Sequence, residues 1–199
     1  MRSQGDGMRI EIVKIADVVS ELAAFTRPAA TSEGEVRTSF ADFLRCEHSP
    51  IRGAIYLIKM YGIPTFVSVH FVRHKHGVEH YVSTNRDDRK GAVLDAGRDT
   101  PVNHAMLINA QALINMSRKR LCHKAHKKTV AVMARIRSRM WTIDPEMHEF
   151  MKPECCYRNA MCPELTECKA GVLGMEGAYG LWKGAGIYHI YPTTNSPHR

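Results

Sequence analysis

The chain has 199 residues, 44% of them hydrophobic and 24% charged, with a formal net charge of +8 at pH 7. That length and balance suit one globular domain with at most a small appendage, and they exclude a disordered composition. No run approaches the ~18 apolar residues of a membrane span, and the basic surplus points to an acidic partner: nucleic acid, a phosphorylated small molecule or an anionic surface.

The opening "MRSQGDGMRIEIVKI" lacks the apolar core of a signal peptide, so a cytoplasmic protein is expected. From Met8, "MRIEIVKI" alternates apolar and polar positions and predicts a strand. "ADVVSELAAFTR" carries a helical pattern that Pro28 stops. "PAATSEGE" is a loop in which Thr31 or Ser32 caps a helix over "EVRTSFADFLRCEH". "SPIRGAIYLIKMYG" starts as a turn and becomes a strand ending at Gly62, and Pro64 suits the first turn of a short helix, "PTFVSVHFVRH".

From about residue 76 to 103 the chain is polar, with "NRDDRKG" and "DAGRDTP" as loop signals. A long helical region follows, "MLINAQALINMSRKRLCHKAHKKTVAVMARIRSRMW", ended by Asp144-Pro145. The fold class expected from this order is α+β: one mixed sheet with helices packed on it over residues 8–152. Residues 153–199 then form a Cys-rich and Gly-rich extension that finishes in the strand-like "GLWKGAGIYHIYP". Of the six cysteines, Cys46 and Cys122 are isolated, whereas Cys155, Cys156, Cys162 and Cys168 cluster. Four thiols are enough for zinc or an iron–sulfur cluster, but the spacing is not the tight pair of a zinc ribbon, and free or redox-sensitive thiols are the alternative.

The chemistry concentrates in "FVRHKHGVEHYVSTNR", which sets Arg73, His74, Lys75, His76 and His80 within eight positions after an apolar run. As metal ligands, His74, His76 and His80 match no zinc signature, and Arg73 and Lys75 would repel a cation. A solvated basic turn is the plain alternative. Composition favours an anion site: Arg for bidentate phosphate contacts, Lys as a point charge, Ser83 as a hydroxyl partner. A second polar set, Asn109, Gln111, Asn115 and Arg120, lies on an apolar background. Asn109 and Arg120 are about 20° apart on a continuous helical wheel, with Asn115 off that face. Such amides either satisfy their neighbours or read a flat heteroaromatic ligand. "SRKRLCHKAHKK" fits a solvated face, and its lack of interleaved aromatics argues against nucleic acid.

Three blocks in order resemble the flavin-dependent thymidylate synthases. Arg73-His74-Lys75, separated by "HGVEHYV" from Ser83, resembles that family's RHR motif and its serine. "EHSPIR", with Ser49 and Pro50, is similar to its upstream turn, and "NAQALINMSRKR" to its helix, through Asn109, Ala110, Leu113, Asn115 and Arg120. The resemblance implies a homotetramer with FAD and dUMP at subunit interfaces. It also implies transfer of a one-carbon unit from methylenetetrahydrofolate to C5 of dUMP, with NADPH as reductant. Carried over by position, Ser49, His74, Lys75, Asn109 and Asn115 would contact FAD. Arg73, Ser83 and Arg120 would hold dUMP, with Arg98 as a phosphate arginine from a neighbouring subunit. Arg120 and Ser83 would be the catalytic pair, Arg120 stabilising charge at a pyrimidine carbonyl. The family's early FAD-contacting serine would be Thr31, Ser32 or Ser39.

Departures from the pattern surround the nucleotide. Lys75 and Gln111 each stand where the family has Arg, Tyr81 where it has Glu, and Asn85 where it has a dUMP-binding Arg. Arg52 replaces a Glu and His70 a Gln. These changes leave open another pyrimidine nucleotide or a hydroxymethyl product, and, in a different class, a non-catalytic basic nucleic-acid-binding protein.

Overall fold

The computed structural model describes residues 7–26, 38–91, 96–158, 161–166 and 168. It divides into two units, Met1–Pro153 and Glu154–Arg199. In the first, strand β1 (Arg9–Asp17) leads to helix α1 (Val19–Thr26), then α2 (Phe40–Cys46) and a 3-10 helix (Ser49–Gly53). Strand β2 (Ala54–Pro64) runs directly into α3 (Thr65–Val72), followed by β3 (Val78–Val82) and β4 (Pro101–Asn109). Helices α4 (Ala110–Arg120), α5 (Lys127–Ile143) and α6 (Pro145–Phe150) complete it.

The sheet has the order β1-β2-β4-β3, and every pair is antiparallel, so the expected mixed sheet is corrected to an antiparallel one. Alternation decides its faces. Ile10 and Ile12 of β1, Tyr56, Ile58 and Met60 of β2, and Met106 and Ile108 of β4 are buried, whereas Val13 and Ile15 on the opposite face are exposed. The register places Ile12, Ile58, Met106 and His80 in one cross-strand row, and Ile10, Met60, His104 and Val82 in the next. Two histidines therefore sit on the same sheet face as the buried apolar residues.

Several elements differ from the sequence expectation. Ala16 and Asp17 extend β1 rather than opening α1. The cap of α2 is Ser39, whose hydroxyl accepts the Asp42 N–H, while Thr31 and Ser32 lie outside the described residues. β2 continues two residues past Gly62, and Pro64 caps α3 from outside its first turn. The polar stretch contains β3 and the start of β4, and the single long helix becomes a strand and two helices. Its "MLIN" portion is strand because Val102, His104, Met106 and Ile108 are buried with period two on β4, between β2 and β3. No turn residue marks the change to helix. Asn109 does that alone, accepting the Ala112 N–H at 2.9 Å. The second helix restarts at His126, whose ring nitrogen accepts the Lys128 N–H.

One carboxylate ties the periphery together. Asp144 caps α6 by accepting the Met147 N–H at 2.9 Å, and its other oxygen accepts from the Tyr56 hydroxyl and the Lys14 ammonium, both at 2.7 Å. Burial pushes the Tyr56 phenol far above its ordinary range, and the Asp144 charge adds to that. Burial works to lower the Lys14 ammonium, but its hydrogen bonds to Asp144 and Asp17 carry it net upward. β1, β2 and the α5–α6 corner thus share one anion.

In the second unit α7 spans Glu154–Tyr157, with an Arg158–Glu154 ion pair at 2.8 Å. The strand-like "GLWKGAGIYHIYP" lies outside the described residues. No helix among the described residues is long and apolar enough to cross a membrane.

Asp144→Ala removes a helix cap and strands a buried phenol and a half-buried ammonium. We expect it to cost roughly 3 kcal/mol in urea unfolding, against less than about 1 kcal/mol for the exposed Asp88→Ala.

Candidate functional site

The site is built around the short turn between α3 and β3. Arg73 is the residue after the last turn of α3, and His74 follows with its N–H bonded to the Phe71 carbonyl at 2.9 Å. Gly77 closes the turn at φ +73°, a left-handed backbone that favours glycine. A Cβ there would also lie 2.5 Å from the Asn109 amide nitrogen, so the glycine is required twice. The Asn109 N–H donates to the Gly77 carbonyl at 3.0 Å. Helix α4 holds the same turn from its other end. Arg120, its last residue, donates from Nε to His74 Nε2 at 3.0 Å, the side chain reaching back toward the helix N-terminus as helical geometry directs.

A guanidinium only donates, so His74 Nε2 must accept and the ring is neutral with its proton on Nδ1. Burial first, then electrostatic interaction with Arg120 and His80, lower His74 to about 4, consistent with that form. Arg120 itself is lowered by burial and by Arg73. Two like charges stand close together, Arg120 half-buried and Arg73 exposed.

The same concentration of charge surrounds His70, one helical turn earlier on α3. Burial lowers its pKa, and Arg120, Arg73, His126 and Arg98 lower it further. Its Nδ1 bonds the Thr129 hydroxyl of α5 at 2.8 Å. Phe66 forms an apolar floor beside it. Arg98 lies 5.4 Å from that ring's centre and Lys128 5.9 Å, with the His126 ring edge-on at 4.7 Å. Lys128 is paired with Asp99 at 2.5 Å. Among the described residues, no carboxylate pairs with Arg73, Arg98 or Arg120. Converging guanidiniums that hold no ion pair of their own are an arrangement able to take an anion.

The sequence-derived residues fall into two groups. Arg73, His74, Arg98 and Arg120 come together; Arg98, expected to serve from a neighbouring subunit, lies over Phe66 of its own chain. Lys75 is exposed beside them. The Ser83 hydroxyl accepts the Asn103 N–H at 3.0 Å and anchors β3 to β4. Ser49 is exposed at the start of the 3-10 helix. Asn109 caps α4, and its amide oxygen accepts the Ala112 N–H. Asn115 accepts from Gln111 and Arg118, which both donate to Glu47. Asn109 and Asn115 thus satisfy neighbours, the plainer of the two readings of that set. Ser39 is a helix cap. His70, Phe66, His126 and Lys128 were not singled out as site residues; the available signal was a lone histidine four residues before His74 on the same short helix.

The metal alternatives are not supported. Among the described residues, no group of three or more His, Cys, Asp or Glu side chains converges as a ligand set. His80 uses both ring nitrogens within the protein, on the His74 carbonyl and on His104. Cys155, Cys156, Cys162 and Cys168 form no disulfide, and a hydrogen bond with Cys156, then burial, push the Cys155 thiol well above its ordinary range.

Because His74 is lowered from 6.5 to about 4 in the folded chain, its contribution to stability is complete above pH 6.5. It is lost as the pH falls through about 4. An NMR titration of the histidine rings should therefore show His74 neutral at pH 6, with its midpoint near 4; a midpoint near 6.5 would mean that the Arg120 contact is not formed.

No family model matches the chain, and no curated protein sequence is similar to it. Its fold, however, is similar to solved structures. One is a UMP/dUMP methylase, PolB from Streptomyces cacaoi, bound with 5-Br dUMP, at TM-score 0.52 and 13% identity over 72% of this chain and 94% of that one. Another is thymidylate synthase X (ThyX) from Helicobacter pylori with FAD and dUMP, at TM-score 0.52 and 13% identity over 74% and 99% of the two chains. The chain has a ThyX-like α+β fold.

Proposed function

We infer that this chain is a flavin-dependent enzyme that transfers a one-carbon unit from methylenetetrahydrofolate to C5 of dUMP, forming dTMP with NADPH as reductant. The observation that carries the reading is the convergence of Arg73, Arg98 and Arg120, none ion-paired with a carboxylate among the described residues, beside a neutral His74, on a fold similar to that of proteins solved with dUMP or its bromo analogue. A nucleotide monophosphate supplies the missing negative charge. In this reading Arg73 and Arg98 hold the phosphate. Arg120, half-buried and rigid on α4, stabilises negative charge at a pyrimidine carbonyl. Ser83 borders the nucleotide at the end of β3.

The residues also suit a flavin. His74 offers an Nδ1–H donor held in one orientation, Lys75 an exposed ammonium, and the turn is braced at both ends. Ser49, Asn109 and Asn115 are the further flavin contacts of this reading, the two amides through atoms left over from the helix cap of Asn109 and the polar cluster of Asn115. FAD would supply the reducing equivalents that turn the transferred carbon into a methyl group, while the protein binds, orients and polarises. The assembly proposed is a homotetramer. Lys75, Tyr81 and Asn85, each at a position where the family binds or frames the nucleotide, favour a second reading with another pyrimidine nucleotide or a hydroxymethyl product on the same scaffold.

The test is a visible spectrum of the purified protein with FAD, followed as dUMP is added. A bound flavin whose spectrum shifts saturably with dUMP is expected, and Arg120→Ala should cut turnover at least about 100-fold with the fold intact. A flavin indifferent to dUMP would move the assignment to another nucleotide. Absence of flavin binding, together with nucleic-acid binding that falls steeply with salt, would overturn the enzyme reading in favour of a binding protein.

A further inference from the structure

Two histidines and a serine lie where the core should be apolar. His104 is 1% exposed and Ser68 3%, and both side chains sit among residues of α3 and the inner sheet face. They form a chain. Ser68 Oγ is 3.0 Å from His104 Nδ1, His104 Nε2 is 2.9 Å from His80 Nδ1, and His80 Nε2 is 2.8 Å from the His74 carbonyl oxygen.

The carbonyl at one end gives this chain a single direction when both rings are neutral. A carbonyl only accepts, so His80 Nε2 carries a proton and donates it. The neutral His80 ring then has an accepting Nδ1, which requires His104 to donate from Nε2. That leaves His104 Nδ1 as an acceptor for the Ser68 hydroxyl. Every ring nitrogen is partnered, and no second neutral arrangement satisfies all three contacts. Burial, then the nearby His80, lower His104 to about 4, which agrees with an uncharged ring. Besides its two hydrogen-bond partners, His104 faces the Phe71 ring edge-on at 6.2 Å.

An apolar side chain at either position would pack into the core without the cost of burying polar atoms. What the histidines add is a fixed donor aimed at one backbone oxygen. We propose that His80 and His104 are positioning residues: through this one-directional chain they pin the His74 carbonyl, and so hold the Arg73–Lys75 turn with His74 Nε2 toward Arg120 and its Nδ1–H presented to the ligand. Neither ring touches the ligand. The presentation to a ligand rests on the flavin site proposed above, whereas the tautomers and the pinned turn do not.

The test begins with the unaltered full-length chain labelled with ¹⁵N-histidine. Two-bond proton–nitrogen correlations at pH 7 should show Nε2–H tautomers for His80 and His104 and the Nδ1–H tautomer for His74, each ring assigned by through-bond correlation to its own backbone amide in a uniformly ¹³C,¹⁵N-labelled sample. An Nδ1–H tautomer or a charged ring at His80 would overturn the proposal without any variant having to fold. The second step compares His80→Gln, whose amide reaches the His74 carbonyl, with His80→Asn, which keeps an acceptor for His104 but is too short to reach it. The single His74 signature should survive in the first variant and average out in the second. FAD affinity should be near the unaltered value in His80→Gln and about tenfold weaker in His80→Asn, the size of one lost hydrogen bond. Equal behaviour of the two variants would overturn the positioning role. Should the unaltered chain bind no FAD, the flavin reading falls, and the tautomers and the His74 signature decide the relay alone.

Discussion

The hydrogen bond from Arg120 to His74 constrains everything around it. An imidazole that accepts from a guanidinium has to be neutral, and a neutral ring beside other cations stays so only if its protonated form is costly. Burial and the Arg120 charge supply that cost together. The same arginine is itself partly buried next to Arg73. Two guanidiniums are thus held close with no carboxylate between them among the described residues, a local excess of positive charge. Stability alone would favour an acid at that place.

The sheet makes this arrangement possible. β4 lies between β2 and β3, so its inner-face positions are shielded from water by strands on both sides and by helices above. A histidine at 104 is therefore desolvated wherever its ring points, and a diagonal neighbour at 80 on β3 is the nearest group able to satisfy it. Because β3 begins four residues after His74, that neighbour also reaches the turn's backbone. Local chain connectivity and cross-strand register converge on the same carbonyl. The outer rows, by contrast, are settled by one anion at Asp144 that joins β1, β2 and the α5–α6 corner far from this turn in sequence.

Much of this was legible in the sequence. β1, β2, α3 and the stop at Asp144-Pro145 follow from alternation, helical spacing and proline. The three motif blocks identified Arg73, His74 and Arg120, which do meet. What was illegible has physical reasons. The join of β4 to α4 contains no glycine or proline, and a strand whose buried residues fall at 102, 104, 106 and 108 passes without a gap into a helix whose buried residues fall at 110, 112, 113, 114, 116 and 117. Only the burial pattern separates period two from period 3.6. β3 is five residues long, with only Val78 buried, so its polar letters look like loop. His70 shows in the sequence only as a lone histidine near His74, and His126 not at all, because what makes them part of the site is Phe66 together with Arg98 and Arg120 brought in from other segments.

Motif matching and geometry also disagree in an instructive way. Asn109 and Asn115 stand in the same motif block as Arg120, yet one caps a helix and the other joins a polar cluster with Gln111, Arg118 and Glu47. Asn109 also acts mechanically. Asn109 at the start of α4 leans on Gly77 while Arg120 at its end bonds His74, so one rigid helix grips the turn at both ends. A turn held in that way has little freedom left to lose when a ligand arrives. Rigidity, charge and tautomer are then three aspects of the same contact set, and a side chain at Gly77 would act on all three through the position of His74.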